Sequence, residues 1–445
     1  MADEALLARD LASLWHPASH FDDHALLPPV PIASAHGPWL VTTAGARILD
    51  AIASWWTCVH GHCEPAIVEA IAAQARTLDH VMFAGFTHAP AVALAERLLA
   101  LAGPPLSRVF FADSGADAIE IAVKLSLQHH RQAGAPARRR VAALAHGYHG
   151  ETLGALALCG NEPYRAPFAG LLHDALFLPT PEISQHRHGD LLTDAGADDA
   201  ACEQAIALLE RHADELAALV VEPLVQCAGR MRMTGSGFLR RIADTAQSLG
   251  IHLVTDEIAV GLGRSGRALA GHWCGLRPDM VCVGKGLSGG ALPLSAVLVA
   301  APIEAAFHGA PDRAFAHSHT FCGNPIATAA ACASVELLRA RSGAQLESTI
   351  AALDDARAEV AAACRAVQAS RQVGTIVAFD LAPHTRAAPD GRTSLSIRRA
   401  ALRHGLLLRP LGDTLYWMPP LWIDREAVAH LTAGTIASIH EVLGG

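Results

Sequence analysis

Apolar residues along this chain follow two alternating rhythms: short continuous runs, and longer stretches in which they return every third or fourth position. The first is the rhythm of buried strands, the second that of one face of a helix. Over 64–74 the spacing predicts a helix, with Pro65 at a first position where its missing N–H costs nothing. A second helix is predicted over 90–101. Strand-like runs follow at 108–112, 141–145, 218–222, 251–255, 280–283 and 296–299, separated by helical stretches at 118–130, 202–210 and 238–249. Short strands spaced by helices predict an α/β domain with a mainly parallel sheet over roughly 65–330. Beyond it, helices over 326–339 and 346–367, a strand over 374–381 and a helix over 394–404 predict a smaller α+β unit. Residues 1–60, rich in Pro, Trp and His, predict an irregular arm with short strands that packs with this smaller unit. No internal repeat is present, which excludes a solenoid.

Composition narrows the class. The 445 residues, 51% hydrophobic and 17% charged, suffice for a large core and exclude a disordered chain. With 34 basic against 43 acidic side chains the net charge is −9, which argues against nucleic acid or an anionic membrane as a partner. The acidic start, MADEALLARD, lacks the basic segment and apolar run of a signal peptide. The apolar stretch 291–307 is broken by Pro293, Pro302 and Glu304, so no membrane span is expected. Ten cysteines without a C-x-x-C pair predict reduced thiols and a cytoplasmic protein. The 25 histidines cluster at His60-Gly61-His62-Cys63 and His317-Ser318-His319, neither with the spacing of a structural zinc site, and no metal is expected. Among the 34 basic residues only Lys124 and Lys285 are lysines. A bias toward arginine codons explains the excess, but lysine does chemistry that arginine cannot.

Two strand ends carry the strongest chemical signal. IHLVT runs into Asp256-Glu257, and VCVG runs into Lys285-Gly286. Ligands of open α/β sheets gather at the carboxyl ends of strands. A lysine and a carboxylate there meet the needs of pyridoxal phosphate: the amine links to the aldehyde, and the acid keeps the pyridine nitrogen protonated. Singly, Asp256 could equally be a helix cap and Lys285 a solvated surface group. Asp113-Ser114-Gly115-Ala116, between a strand and a helix, offers backbone N–H groups to a phosphate, or is simply an N-cap. His146-Gly-Tyr148-His-Gly150 brings one of only three tyrosines to the same edge, or forms a turn around a half-buried ring. A Gly-rich loop, Asp256 to Gly266, follows the strand that ends at Thr255.

Taken together, VVEP (220–223), DEIAVGLGRSG (256–266), GKGLSGG (284–290) and HTFCGNP (319–325) resemble the class III aminotransferases. Four ordered motifs make the match specific where one would not. LWHPAS (14–19), SWWTCVHGHCEP (54–65), DHVMFAGFTHAPA (79–91) and LLLRPLGDTLYWMPP (406–420) are similar to one branch, the adenosylmethionine-8-amino-7-oxononanoate aminotransferases of biotin synthesis. This similarity runs from about residue 13 to 430. The resemblance implies fold type I: a large pyridoxal-phosphate-binding domain (65–330) with a mainly parallel seven-stranded sheet, and a small α+β domain made of 331–445 and the arm 1–64. It implies a homodimer with active sites at the interface and two small-molecule substrates, 8-amino-7-oxononanoate and S-adenosylmethionine. An ω-amine:pyruvate or lysine-using transaminase is the nearest rival, and a catalytically silent cofactor-binding regulator a more distant one.

By the same resemblance, Lys285 carries the cofactor and then moves the substrate proton, and Asp256 pairs with the pyridine nitrogen. Ser114 and Gly115 cradle the phosphate, with His319 and Thr320 near it, Thr320 from the neighbouring subunit. Tyr148 stacks on the ring. Trp56, Ser318, Arg264 and Tyr416 line the substrate site, and Arg409 binds a substrate carboxylate, a task suited to a planar fork. Two positions depart from the branch. Trp15-His16-Pro17-Ala18-Ser19 has Ala18 where relatives carry a tyrosine, which implies a shifted preference for the bulky amino donor. Ser318 stands where glycine is commoner, adding a Cβ near the phosphate approach.

Overall fold

The structure, a computed structural model, describes residues 2–181, 186–192, 199–341, 343–382 and 392–444. Seven strands form its central sheet: β1 (Leu106–Ala112), β2 (Arg140–Leu144), β3 (Ala175–Leu178), β4 (Leu216–Val221), β5 (His252–Asp256), β6 (Met280–Val283) and β7 (Ser295–Ala300). Their spatial order is β1-β7-β6-β5-β4-β2-β3. Only β7 runs against its neighbours, β6 and β1; β2 to β6 pair in parallel. The sheet is thus mostly parallel, as the alternation of strands and helices predicts. Every residue of β4 (LAALVV) and of β7 (SAVLVA) is buried, because helices cover both faces and leave no side for polar alternation. The edge strand β3 escapes the sequence pattern, since ALFL is too short to signal and is held by pairing with β2.

The helix predicted over 118–130 spans Gly115–Gln132. It starts earlier because Ser114 and Asp117 form a capping box, Ser114 Oγ accepting from the Asp117 N–H. The helix predicted over 346–367 is Gly343–Ala363, and Val367–Val373 is instead a strand paired antiparallel with Ile376–Leu381. In VQASRQV the apolar period has dropped toward two, and Gly374, at φ 56°, closes the hairpin. Thr414–Trp417 completes that three-stranded sheet, and the helix Arg425–Leu443, unread in the sequence, covers the tail.

The arm forms a second sheet. Ile32–His36, Trp39–Thr42 and Arg47–Asp50 pair antiparallel, and Leu406–Leu407 joins them parallel to Arg47–Asp50, with Leu406 opposite Leu49. Arm and tail therefore share main-chain hydrogen bonds. Leu49, Leu406, Leu415 and Trp417 are all fully buried in one cluster with the last helix.

Candidate active site

The carboxyl ends of β1, β2, β4, β5 and β6 open on one edge of the sheet. Asp256 ends β5, and Lys285 comes two residues after β6, whose Cys282 lies opposite Asp256. Adjacent parallel strands thus place the acid and the amine side by side. The Lys285 amine has no hydrogen-bond or ion-pair partner among the described residues, and its nearest ring is Trp56, with Nζ 5.1 Å from the ring centre. Burial holds its pKa below the ordinary lysine value, against the pull of Asp256, Cys227 and Glu222. A larger share of the amine is then unprotonated near neutral pH, as a nucleophile or base requires.

Asp256 is held on both oxygens. Oδ1 accepts from the Ile258 N–H at 3.1 Å, and Oδ2 lies 2.8 Å from Nδ1 of His149, on the loop after β2. Both side chains are almost completely buried. Burial alone would discharge His149, but its bond to Asp256 and the charges of Asp256 and Glu222 outweigh it and raise the imidazole pKa. Glu222, at the end of β4, accepts from the Tyr148 N–H at 3.0 Å and the Cys227 N–H at 3.1 Å. It thereby ties the loop after β2 to the loop after β4. Burial pushes its carboxyl up to about 7. The Tyr148 hydroxyl donates to Glu151 at 2.9 Å, and its ring meets Tyr164 edge-on at 5.6 Å. Neither His149 nor Glu222 was singled out in the sequence. Both sit inside quoted motifs, HGYHG and VVEP, where an ionisable residue between small and apolar neighbours at a strand end was the available signal.

At the β1 end, Ser114 caps the helix Gly115–Gln132 and Gly115 opens it. Ser295 Oγ, from β7, donates to the Ser114 carbonyl at 2.6 Å and steadies the loop. His319 Nδ1 lies 3.6 Å from Asp113 Oδ2, beside that cap, while Ser318 and Thr320 are exposed. His319 Nε2 is 3.0 Å from His317 Nε2, and His317 Nδ1 is 2.8 Å from Lys124 Nζ. Lys124 is therefore on an exposed helix face, as its position predicts, but engaged there.

The opposite wall is aromatic. Ala53, Ser54, Trp55 and Trp56 all have positive φ, from 46° to 74°, a left-handed turn that costs non-glycine residues energy. Buried Asp50 offsets the cost, accepting from Ser54 Oγ at 2.7 Å and the Ile52 N–H at 3.3 Å. Arg264, fully buried, donates to the Trp56 carbonyl at 3.4 Å and to the Pro419 carbonyl. It supports the wall from behind. The glycines of GKGLSGG let the Lys285 loop press on this turn: a Cβ on Gly286 would lie 2.6 Å from Val59 Cγ1, and one on Gly290 2.8 Å from Cys58 Sγ. Trp56 Nε1 donates to Tyr416 Oη at 3.3 Å, and Arg409 beyond it donates to the Ala18 carbonyl at 2.7 Å while lying over Trp55.

An unpartnered amine and a buried carboxylate meet at one sheet edge, with a capped helix N-terminus on the same edge. Pyridoxal phosphate needs these three groups, and the residues present fit it. Among the described residues no group of three or more His, Cys, Asp or Glu could hold a metal ion, and no helix is long and apolar enough to cross a membrane.

Comparison with known proteins gives the same grouping. Residues 21–439 match the model of the family described as aminotransferase class-III. The adenosylmethionine-8-amino-7-oxononanoate aminotransferase of Synechococcus elongatus is 41% identical over 96% of this chain and 99% of its own length. That of Helicobacter pylori is 34% identical over 99% of each chain. Among solved structures, the adenosylmethionine-8-amino-7-oxononanoate aminotransferase of Methanocaldococcus jannaschii superposes with a TM-score of 0.87 at 26% identity, covering 99% of each chain. An amine transaminase from an uncultivated Pseudomonas species superposes at 0.85 with 28% identity, covering 97% of this chain and 99% of its own. A sheet edge fitted for pyridoxal phosphate and full-length relatives of one kind converge: this chain belongs to the class III aminotransferases, pyridoxal-phosphate-dependent enzymes of fold type I, in the adenosylmethionine-8-amino-7-oxononanoate aminotransferase family.

Proposed function

We propose that this chain moves an amino group from S-adenosylmethionine to 8-amino-7-oxononanoate, giving 7,8-diaminononanoate. The observation that carries the chemistry is the unpartnered Lys285 amine beside Asp256 on adjacent strand ends. The choice of substrates rests on the full-length similarity to relatives named for that reaction.

Pyridoxal phosphate, when bound, supplies an aldehyde that takes the amino group and a ring that draws electrons from the substrate carbon. Asp256 would hold the ring nitrogen, its own charge kept in place by His149 Nδ1. Ser114 and Gly115 would cradle the phosphate at the helix start, the Gly115 N–H donating while the Ser114 N–H is kept by Asp117, helped by the helix dipole. Lys285 Nζ would take the proton from the amino-bearing carbon of the donor and, in the second half, would deliver a proton to the acceptor carbon that gains the amino group. Trp56, whose ring centre is 5.1 Å from Lys285 Nζ, and Tyr416, which accepts from its indole, would bound this end of the site. Arg409 would receive a carboxylate, and its partly buried guanidinium, lowered in pKa by burial, makes that pairing worth more than at a free surface. The donor departs as its keto form before the acceptor enters, so one site takes two unlike molecules in turn.

The proposal includes a homodimer in which Thr320 of a second copy completes the phosphate site. Met82, Phe86 and Phe321 are exposed apolar side chains, and the ring of Phe321 lies 5.0 Å from that of His80. It also includes a cytoplasmic enzyme whose cofactor-binding domain spans 65–330, with 1–64 and 331–445 forming the small domain. The test is direct. Cofactor-loaded protein is mixed separately with S-adenosylmethionine, lysine and small ω-amines, and the visible absorption is followed. S-adenosylmethionine should bleach it, and added 8-amino-7-oxononanoate should restore it. Bleaching by simple amines but not by S-adenosylmethionine would favour the amine transaminase reading, and bleaching by none the silent regulator.

A further inference from the structure

Behind Arg409, the arm and the tail enclose a cavity of about 380 Å³. One wall is the segment around Ala18, one is Trp55, and one is the helix Thr393–Arg403, which presents Leu395, Arg398 and Leu402 at successive turns. The lining is largely apolar, yet two guanidinium groups enter it.

Their electrostatic situation is unusual. Arg409 is held by one carbonyl, that of Ala18, and by the face of Trp55, with Cζ 4.6 Å from the ring centre. Arg398 has no hydrogen-bond acceptor and no ion-pair partner among the described residues. Asp23, the acid of the cavity wall, is engaged elsewhere: its Oδ1 accepts from Arg392 Nη1 at 2.5 Å and lies 3.6 Å from His20 Nδ1. Burial and the nearby Arg409 both press the Arg398 pKa down, with Asp23 opposing. Two partly buried like charges without a carboxylate between them cost free energy unless an anion offsets it. Two planar forks lining one largely apolar cavity match a carboxylate on an aliphatic chain.

We propose that Arg398 and Arg409 together clamp the carboxylate of an aliphatic acid substrate in this cavity, which makes Arg398 a specificity-determining residue. The methyl side chain of Ala18 leaves the arm side of the cavity open for it. This rests on the proposed function in taking Arg409 as a group that faces substrate; Arg398 lies one layer further out, on a different element.

The test separates charge from packing and binding from turnover. Nonanoate and its uncharged analogue nonanamide are titrated calorimetrically into cofactor-loaded wild-type protein and into the Arg398→Leu and Arg398→Lys variants. The wild type should bind nonanoate, Arg398→Leu about tenfold or more weaker, and Arg398→Lys in between, while nonanamide binds all three alike. In turnover, Arg398→Leu should raise the KM for 8-amino-7-oxononanoate about tenfold, leave kcat within about twofold, and leave the KM for its methyl ester unchanged. Unchanged nonanoate affinity in an Arg398→Leu protein of wild-type Tm would overturn the clamp. So would an equal loss of nonanamide, which would mark Arg398 as packing. If no amino substrate reacts with the wild type, the proposed function falls, and the nonanoate titration still decides the clamp.

Discussion

The sheet edge that carries Asp256 and Lys285 and the arm-side cavity that carries Arg398 and Arg409 are built by opposite means. At the sheet edge the buried carboxylates are committed: Asp256 to His149 and Ile258, Glu222 to two backbone N–H groups. Those partners come from strand-end loops fixed by the central sheet, so the geometry is rigid before any ligand arrives. The cavity is bounded by an arm, a left-handed turn and a tail helix from distant parts of the chain, and among the described residues its guanidinium groups have no carboxylate partner. The difference is what a two-substrate transaminase needs. The chemistry is the same for both substrates and can be preorganised, whereas the recognition end must admit two different molecules.

The largest effect that separates the two regions is Lys285→Ala. It should lower transamination by more than ~10³-fold, while nonanoate binding at the cavity stays within about twofold of wild type. Loss of both together would show that the regions are not independent. Next, Asp256→Asn should cost about 10²-fold or more in kcat. His149→Asn, which keeps a donor toward Asp256 but loses the positive charge, should cost about tenfold and shift the pH profile; kcat unchanged across pH would remove His149 from the site. Third, Gly290→Val strikes the joint between the two regions. Gly290 sits at φ 84°, and a Cβ would approach Cys58 Sγ at 2.8 Å and Cys58 N at 2.9 Å. Crowding of that kind costs about 1–3 kcal/mol, and the urea midpoint should fall accordingly, with no change expected from Gly170→Ala, where a Cβ meets nothing.

A further effect is a pH dependence confined to the sheet edge. Burial raises Glu222 to about 7 from an ordinary 4.5. The unfolded chain therefore gives up this proton before the folded one does, so stability from this group falls as pH rises from about 4.5 through 7. Urea midpoints at pH 5 and pH 8 should differ less in Glu222→Gln than in wild type, by at most one proton's worth of slope. The cost of the lost hydrogen bond is common to both pH values and drops out of the difference.

The two regions also differ in how far they could be read in advance. The strands that end at Asp256 and precede Lys285 are short, continuous apolar runs, so their presence, their order and the parallel sheet follow from local pattern. Ser114 was readable as a cap for the same reason. His149 and Glu222 carry only a weak local signal, an ionisable residue between small and apolar neighbours at a strand end; their role comes from approach across β2, β4 and β5. Arg264 illustrates the same limit. In the sequence it is an arginine in a Gly-rich loop, open to reading as a substrate ligand or a surface ion pair. In the structure it is fully buried and donates to the Trp56 and Pro419 carbonyls. The apolar spacing predicts a helix over 346–367, past its end at Ala363, because a helix and the strand after it can share their boundary apolar residues.

The chemistry is written in the chain's own residues: a lysine retained against a heavy bias to arginine, a carboxylate one strand away, and the motifs that place both in a known class. Local propensity and hydrophobic period act over a few residues, and these features lie within that range. Which charges are paired emerges only from the folded chain. Whether Arg398 meets a carboxylate or Arg264 a carbonyl depends on residues tens to hundreds of positions away, brought close by burial of the apolar core, and no short-range pattern carries that information.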